Sequence, residues 1–252
     1  MSALRTALPN EDFVYLGDTA RLPYGTKSAD TVRRYATQAA RQLVDRGVKA
    51  LVIACNTASA FALQHLKNQV APLPGVGVVE PGAQAAVAAA DASGVLGGAT
   101  VCPRIGGAFP RALSAAAPQL PVYGRACPLW VTLVEQGPPE PEFTHGVLAH
   151  ALRGFMRDGP HTLLLGCTHF PVFRPSLDTL LDEHAGRHIV VVDSADTTAA
   201  AVSSALHSEG LLGARPSAGS TRYLATDGVA RFTQVGAHFL GDAITGVELV
   251  DL

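Results

Sequence analysis

The sequence predicts an α/β fold: two pseudo-symmetric α/β domains with mostly parallel sheets and the site in the cleft between them. Three observations predict it. Short aliphatic runs, apolar on both faces, alternate with longer stretches of helical period, as in buried parallel strands joined by helices. The chain of 252 residues is 48% hydrophobic and 16% charged, enough for two cores of ordinary size and too apolar for disorder. Finally, "LVIACNTASA" (51–60) and "LLLGCTHFP" (163–171) share one construction: an aliphatic run, a small residue, a cysteine, then polar residues.

Taken in order, "DFVYLGD" (12–18) reads as a strand. "SADTVRRYATQAARQLVDRG" (28–47) reads as a helix, with Ser28 as N-cap and Gly47 as its stop. "KALVIA" (49–54) is a buried strand, and the segment after Cys55 starts a helix that runs to about Gln69. Further strands are expected near 76–79, 94–101, 120–124, 161–166, 188–192 and 221–226. Helices are expected between them, near 82–91, 106–117, 129–136, 142–158, 171–184, 194–209 and 228–239. "GPPEPE" (137–142) is a loop, not a long linker. The first domain is expected to hold 1–80 plus 190–252, and the second 81–189.

Composition narrows the function classes. A net charge of −2 leaves no electrostatic footprint for nucleic acid or an anionic membrane. No run approaches the roughly 18 consecutive apolar residues of a membrane span, and no signal peptide opens the chain, so a cytoplasmic location is expected. The four cysteines, Cys55, Cys102, Cys127 and Cys167, form no CxxC pair, so neither a disulfide framework nor a metal site is expected. Cys102 and Cys127 are expected to pack, and His65, His145 and His238 to be surface or packing residues.

In parallel sheets the ligand site lies at the carboxyl ends of the strands, and both Cys55 and Cys167 sit at such an end. A thiol at a strand-to-helix turn meets backbone N–H groups and the positive end of a helix dipole, which favour thiolate and predict a lowered pKa. Asn56, Thr57 and Thr168 add groups suited to a carboxylate. One such cysteine is more often a small buried hydrophobe; two matched ones reverse that reading. Thiols on opposite walls of one cleft suit removal of a proton from one face of a carbon and its return on the other. That requires sulfur atoms roughly 7–8 Å apart.

"ACNTASA" (54–60), "LGCTHFP" (165–171) and "YLGDTARLPYGTKS" (15–28) together resemble the cofactor-independent aspartate/glutamate racemase family, on its glutamate racemase side. The likeness extends over "VVEPGAQAA" (78–86), "ACPLWVTLVEQG" (126–137), "VDSADTTA" (192–199) and "RYLATDGVARFTQVGAHFLG" (222–241). It implies two-base interconversion of L- and D-glutamate, supplying D-glutamate for peptidoglycan. Cys55 would act on D-glutamate and Cys167 on L-glutamate. Tyr24 and Gly25, Asn56 and Thr57, and Thr168 and His169 match the substrate-binding pairs. His169 and Glu135 match residues that assist proton transfer, and Asp18 matches an acidic position of the family.

The resemblance implies a small-molecule substrate, a possible homodimer, and neither pyridoxal phosphate nor metal. Only Lys27, Lys49 and Lys67 are available for a Schiff base, and none is placed for one. Two departures stand out. The family opens on a strand and an Asp-Ser loop, whereas Met1 to Arg5 resembles the helix after that loop, so roughly 18–20 further residues are expected upstream. "GGATVCPRIGG" (97–107) also differs from the family pattern. Competing readings are an aspartate or hydantoin racemase, a low-activity binding protein, and a cysteine hydrolase built on Cys167 and His169. Against the hydrolase, side chains two apart at a turn are expected to diverge.

Overall fold

The computed structural model describes residues 1–99, 107–136, 140–214 and 217–252. Cys102, most of the divergent 97–107 stretch, and residues 137–139 of the expected loop lie outside the described residues. The chain divides into two compact units, Met1–Gly77 with Thr198–Leu252, and Val78–Thr197.

In the first unit, α1 (Ser2–Ala7) precedes β1 (Phe13–Gly17), α2 (Ala29–Val44), β2 (Leu51–Ile53), α3 (Asn56–Val70) and β3 (Gly75–Gly77). β1 pairs in parallel with a later strand, Thr221–Ala225, which pairs in parallel with Glu248–Leu249. β2 and β3 form a separate parallel pair, Leu51 opposite Gly75 and Ile53 opposite Gly77. Alternation along β2 explains the layering. Leu51 and Ile53 face α2 and α3 through Ala36, Ala40, Ala62 and Leu66, while Val52 joins Leu4, Leu8, Val202 and Leu206 on the opposite side.

Helix α2 begins where expected because the Ser28 hydroxyl accepts the Thr31 N–H at 3.3 Å. Its last turn ends at Val44, and Gly47 takes a left-handed φ of 74° that a β-carbon would resist.

The second unit holds α4 (Val79–Ala89), β4 (Val95–Ala99), α5 (Ala108–Ala116), β5 (Val122–Ala126), α6 (Pro128–Glu135), α7 (Pro141–Asp158), β6 (Thr162–Gly166), α8 (Arg174–His184) and β7 (Val190–Val192). Its strands form one parallel sheet in the order β5-β4-β6-β7. β6 is inside that order and buried at all five positions, which accounts for its unbroken aliphatic run. A short 3₁₀ turn, Phe170–Phe173, separates β6 from α8, where the sequence predicts a continuous helix. α9 (Ala195–Ser208) runs into the first unit, which is completed by β8 (Thr221–Ala225), α10 (Val229–Leu240) and β9 (Glu248–Leu249). The sequence does not announce β9, because two exposed residues carry no periodic signal.

Gly166, the small residue before Cys167, is required by contact. A β-carbon there would lie 2.6 Å from the Gly98 carbonyl oxygen and 3.3 Å from the Phe109 ring. Gly166→Ala is therefore expected to destabilise the protein by about 1–3 kcal/mol and lower its melting temperature by roughly 2–10 °C in calorimetry.

Candidate active site

The first unit gathers its polar groups at carboxyl ends of strands. Cys55 follows β2 at the N-cap of α3, with its carbonyl accepting the Ser59 N–H at 2.8 Å. The Ser59 hydroxyl donates to the Ile53 carbonyl at 2.6 Å, tying the helix start back to the strand. α3 packs on the 3₁₀ turn Tyr24–Thr26, which brings Tyr24 and Gly25 to the same end of the unit.

Asp18 anchors that end. It accepts the Arg21 Nε–H with both oxygens (2.9 and 2.8 Å), the Thr226 hydroxyl at 3.0 Å, and the Tyr24 hydroxyl. Arg21 is held in turn by Gln38 at 2.6 Å and lies 4.1 Å over the Tyr35 ring. Burial first, then the hydrogen bond to Asp18 and its negative charge, raise the Tyr24 pKa. Its phenol stays protonated, donates to Asp18, and leaves its oxygen lone pairs for another donor. Arg21, Gln38 and Thr226 escaped the sequence reading. Thr226 carries the one usable signal, because it is the last residue of a predicted strand.

Asn56 opens α3, and both its side-chain polar atoms are buried with no hydrogen-bond partner. A buried amide with neither donor nor acceptor satisfied is costly unless a ligand completes it. Thr57 follows within the same first turn.

The Cys55 thiol departs from the expected lowering of its pKa. Part of the residue's surface is open, yet the protein packed around the sulfur pushes its pKa up, outweighing the Ala58 and Thr57 N–H groups and the Thr57 hydroxyl that pull it down. Dipole and N–H groups lose to desolvation because the thiolate is the only charged form. Alkylation of Cys55 by iodoacetamide, followed by peptide mass spectrometry, should therefore rise only above the ordinary thiol value of 9.0. Cys127, buried at the start of α6, is pushed up to about 12 by burial and should stay unmodified over the same range.

In the second unit, Cys167 is buried directly after β6, with Thr168 exposed beside it. Its sulfur lies 3.6 Å from His169 Nδ1, and His169 Nε2 lies 2.7 Å from Glu135 Oε1. This corrects the expectation that Cys167 and His169 diverge. His169 has helical φ and ψ (−79°, −27°) and opens the 3₁₀ turn, so the chain curls its ring back over the sulfur. Trp130 fixes the far end. It is buried in α6 against Phe170 and Phe173, ring centroids 4.9 and 5.8 Å away, and α6 then delivers Glu135 from its last turn to the imidazole. Glu135 is thus no solvated helix residue: its side chain is 22% exposed and paired with His169.

Chemically, a carboxylate accepting Nε2–H leaves Nδ1 as the lone-pair nitrogen, pointed at the thiol. Such a chain of groups can take the thiol proton and hold the resulting imidazolium.

The sequence profile of the Asp/Glu/Hydantoin racemase family matches residues 2–202. The glutamate racemase of Geobacter metallireducens is 43% identical over 248 residues, covering 98% of this chain and 89% of that one. Among solved structures, glutamate racemase isoform RacE1 of Bacillus anthracis superposes with a TM-score of 0.89 at 31% identity, covering 100% of this chain and 92% of the other. The glutamate racemase of Francisella tularensis, solved with D-glutamate, gives 0.88 at 31% identity over 99% and 91% of the two chains. The chain belongs to the Asp/Glu/Hydantoin racemase family, as an amino-acid racemase of the glutamate racemase type.

Proposed function

We propose that the chain interconverts L- and D-glutamate with Cys55 and Cys167 as the two acid–base groups, supplying D-glutamate for peptidoglycan. In the L-to-D direction the Cys167 thiolate removes the α-proton, and the C–H electron pair stays on the α-carbon and its carboxylate. The Cys55 thiol then delivers its proton to the opposite face. The reverse direction exchanges the roles. No electron acceptor or cofactor enters this balance.

One observation carries the reading: two thiols at matched strand ends, each with its own polar apparatus. The burial that keeps Cys55 a thiol suits a proton donor, and the His169–Glu135 pair suits activation of Cys167. The orphaned amide of Asn56 and the free lone pairs of Tyr24 support a ligand bearing both donors and acceptors, as an amino acid does. In this reading Tyr24, Gly25, Asn56, Thr57, Thr168 and His169 bind substrate, and Asp18 fixes Tyr24.

The reaction needs reduced thiols, which supports a cytoplasmic setting; among the described residues no helix is long and apolar enough to cross a membrane. Exposed Tyr123, Leu129 and Phe143 in the second unit support a homodimer, readable by sedimentation equilibrium.

The test is incubation with L-glutamate in deuterium oxide, following optical rotation and α-deuterium. Rotation should decay to zero with one deuterium incorporated per inverted molecule. L-Aspartate run in parallel separates this from an aspartate racemase. The Cys167–His169 pair also fits a cysteine hydrolase, which an acyl electrophile would trap as a covalent acyl-enzyme; none should form in the course of racemisation.

A further inference from the structure

We propose that His145, Glu183 and His184 form a three-ligand site for a divalent transition-metal ion of the zinc class, pinning the end of α8 to the start of α7. The sequence predicts no metal site and makes His145 a surface or packing residue, because its partners are 38 and 39 residues away and no ligand spacing announces them.

The three side chains offer one ligand atom each, and all three atoms lie within 4.8 Å of one another. Glu183 Oε2 is the shared vertex, 3.9 Å from His145 Nε2 and 3.7 Å from His184 Nδ1. These separations are too long for hydrogen bonds. They are close to the roughly 3.3–3.6 Å between two ligands held about 2.0–2.2 Å from one tetrahedral zinc ion. The imidazole centroids stand 5.7 Å apart with the ring planes tilted at 58°, not stacked face to face.

The ligands attach to two helices packed on each other. α7 and α8 pack together, with Leu148 and Leu152 of one helix and Leu177, Leu180 and Leu181 of the other buried beneath the site. The ligands themselves stay open to solvent, at 35%, 53% and 51% side-chain exposure, which leaves the fourth position to water. Glu183 lies in the last turn of α8, where the helix dipole disfavours an anion and welcomes a cation. Two imidazoles and a carboxylate select zinc, nickel or copper over magnesium or calcium.

The test is calorimetric titration with zinc chloride in a non-coordinating buffer. The Cys55→Ser/Cys167→Ser double variant serves as parent, so that zinc binding to those thiols cannot contribute. One ion per chain is expected, with a melting temperature raised by roughly 5–10 °C at a hundredfold excess over Kd. His145→Ala and His184→Ala in that background should each weaken binding at least about tenfold while melting normally in EDTA. Magnesium should not bind. No zinc binding by the parent, or full affinity in both alanine variants, overturns the site. Racemisation by His145→Ala in the native chain should be unchanged, so failure of the metal site and failure of the racemase reading are separable.

Discussion

Cys55→Ser and Cys167→Ser are each expected to lose about 10²–10⁴-fold in racemisation rate, followed by polarimetry or by deuterium exchange. A hydroxyl is a far weaker acid than a thiol, so both proton removal and proton return at the exchanged position slow sharply at neutral pH. The two losses differ in kind. With one thiol on each face racemisation would need both groups, but elimination from a glutamate analogue with a leaving group on the β-carbon would need only removal of the α-proton. The Cys167→Ser variant should still eliminate from the D-analogue through Cys55, and Cys55→Ser from the L-analogue through Cys167. Both variants acting on the same enantiomer would refute the assignment of one thiol to each face. Equal and complete loss on both analogues would show that the thiols act as one unit.

The parts of this site that could be read from the sequence are those set by local chain direction. A buried parallel strand announces itself by apolar residues on both faces, and β6 is the plainest instance. The residues after such a strand fall at the carboxyl end of the sheet whatever the rest of the fold does, which places Cys55, Asn56 and Cys167 from sequence alone, whereas Asp18 enters only through the family resemblance. The parts that could not be read depend on balance or on long-range packing. The sign of the Cys55 shift is a competition between burial and N–H groups, and sequence reveals the N–H groups only. The convergence of Cys167 with His169 turns on a 3₁₀ turn, seated by the buried Phe170 and Phe173 against Trp130 some 40 residues earlier. The support of Tyr24 by Asp18, Arg21 and Thr226 joins segments about 200 residues apart. Cys167–His169 and Asp18–Arg21 are close in sequence, but the distant partners that fix their geometry, Trp130 and Thr226, have no spacing that a one-dimensional pattern can display.

His169→Gln is expected to lower kcat/KM by about 10²–10³-fold, and by the same factor for L- and D-glutamate. The equality is thermodynamic. Enantiomers in an achiral solvent have an equilibrium constant of one, so the two values of kcat/KM must match in any variant, however lopsided the damage. Damage on the Cys167 side therefore appears as unequal shifts in kcat and KM between the two directions, and as slowed elimination from the L-analogue alone. Glu135→Gln should cost less, about 10–100-fold, because the imidazole remains and loses only a charge-assisted hydrogen bond of about 1.5–3 kcal/mol. In the double variant the losses should fall short of their product, since Glu135 can act only through the ring that is gone. Multiplicative losses would mean that Glu135 reaches the substrate by itself. Slowed elimination from the D-analogue in His169→Gln would place the imidazole in the service of Cys55 as well, and overturn its assignment to Cys167.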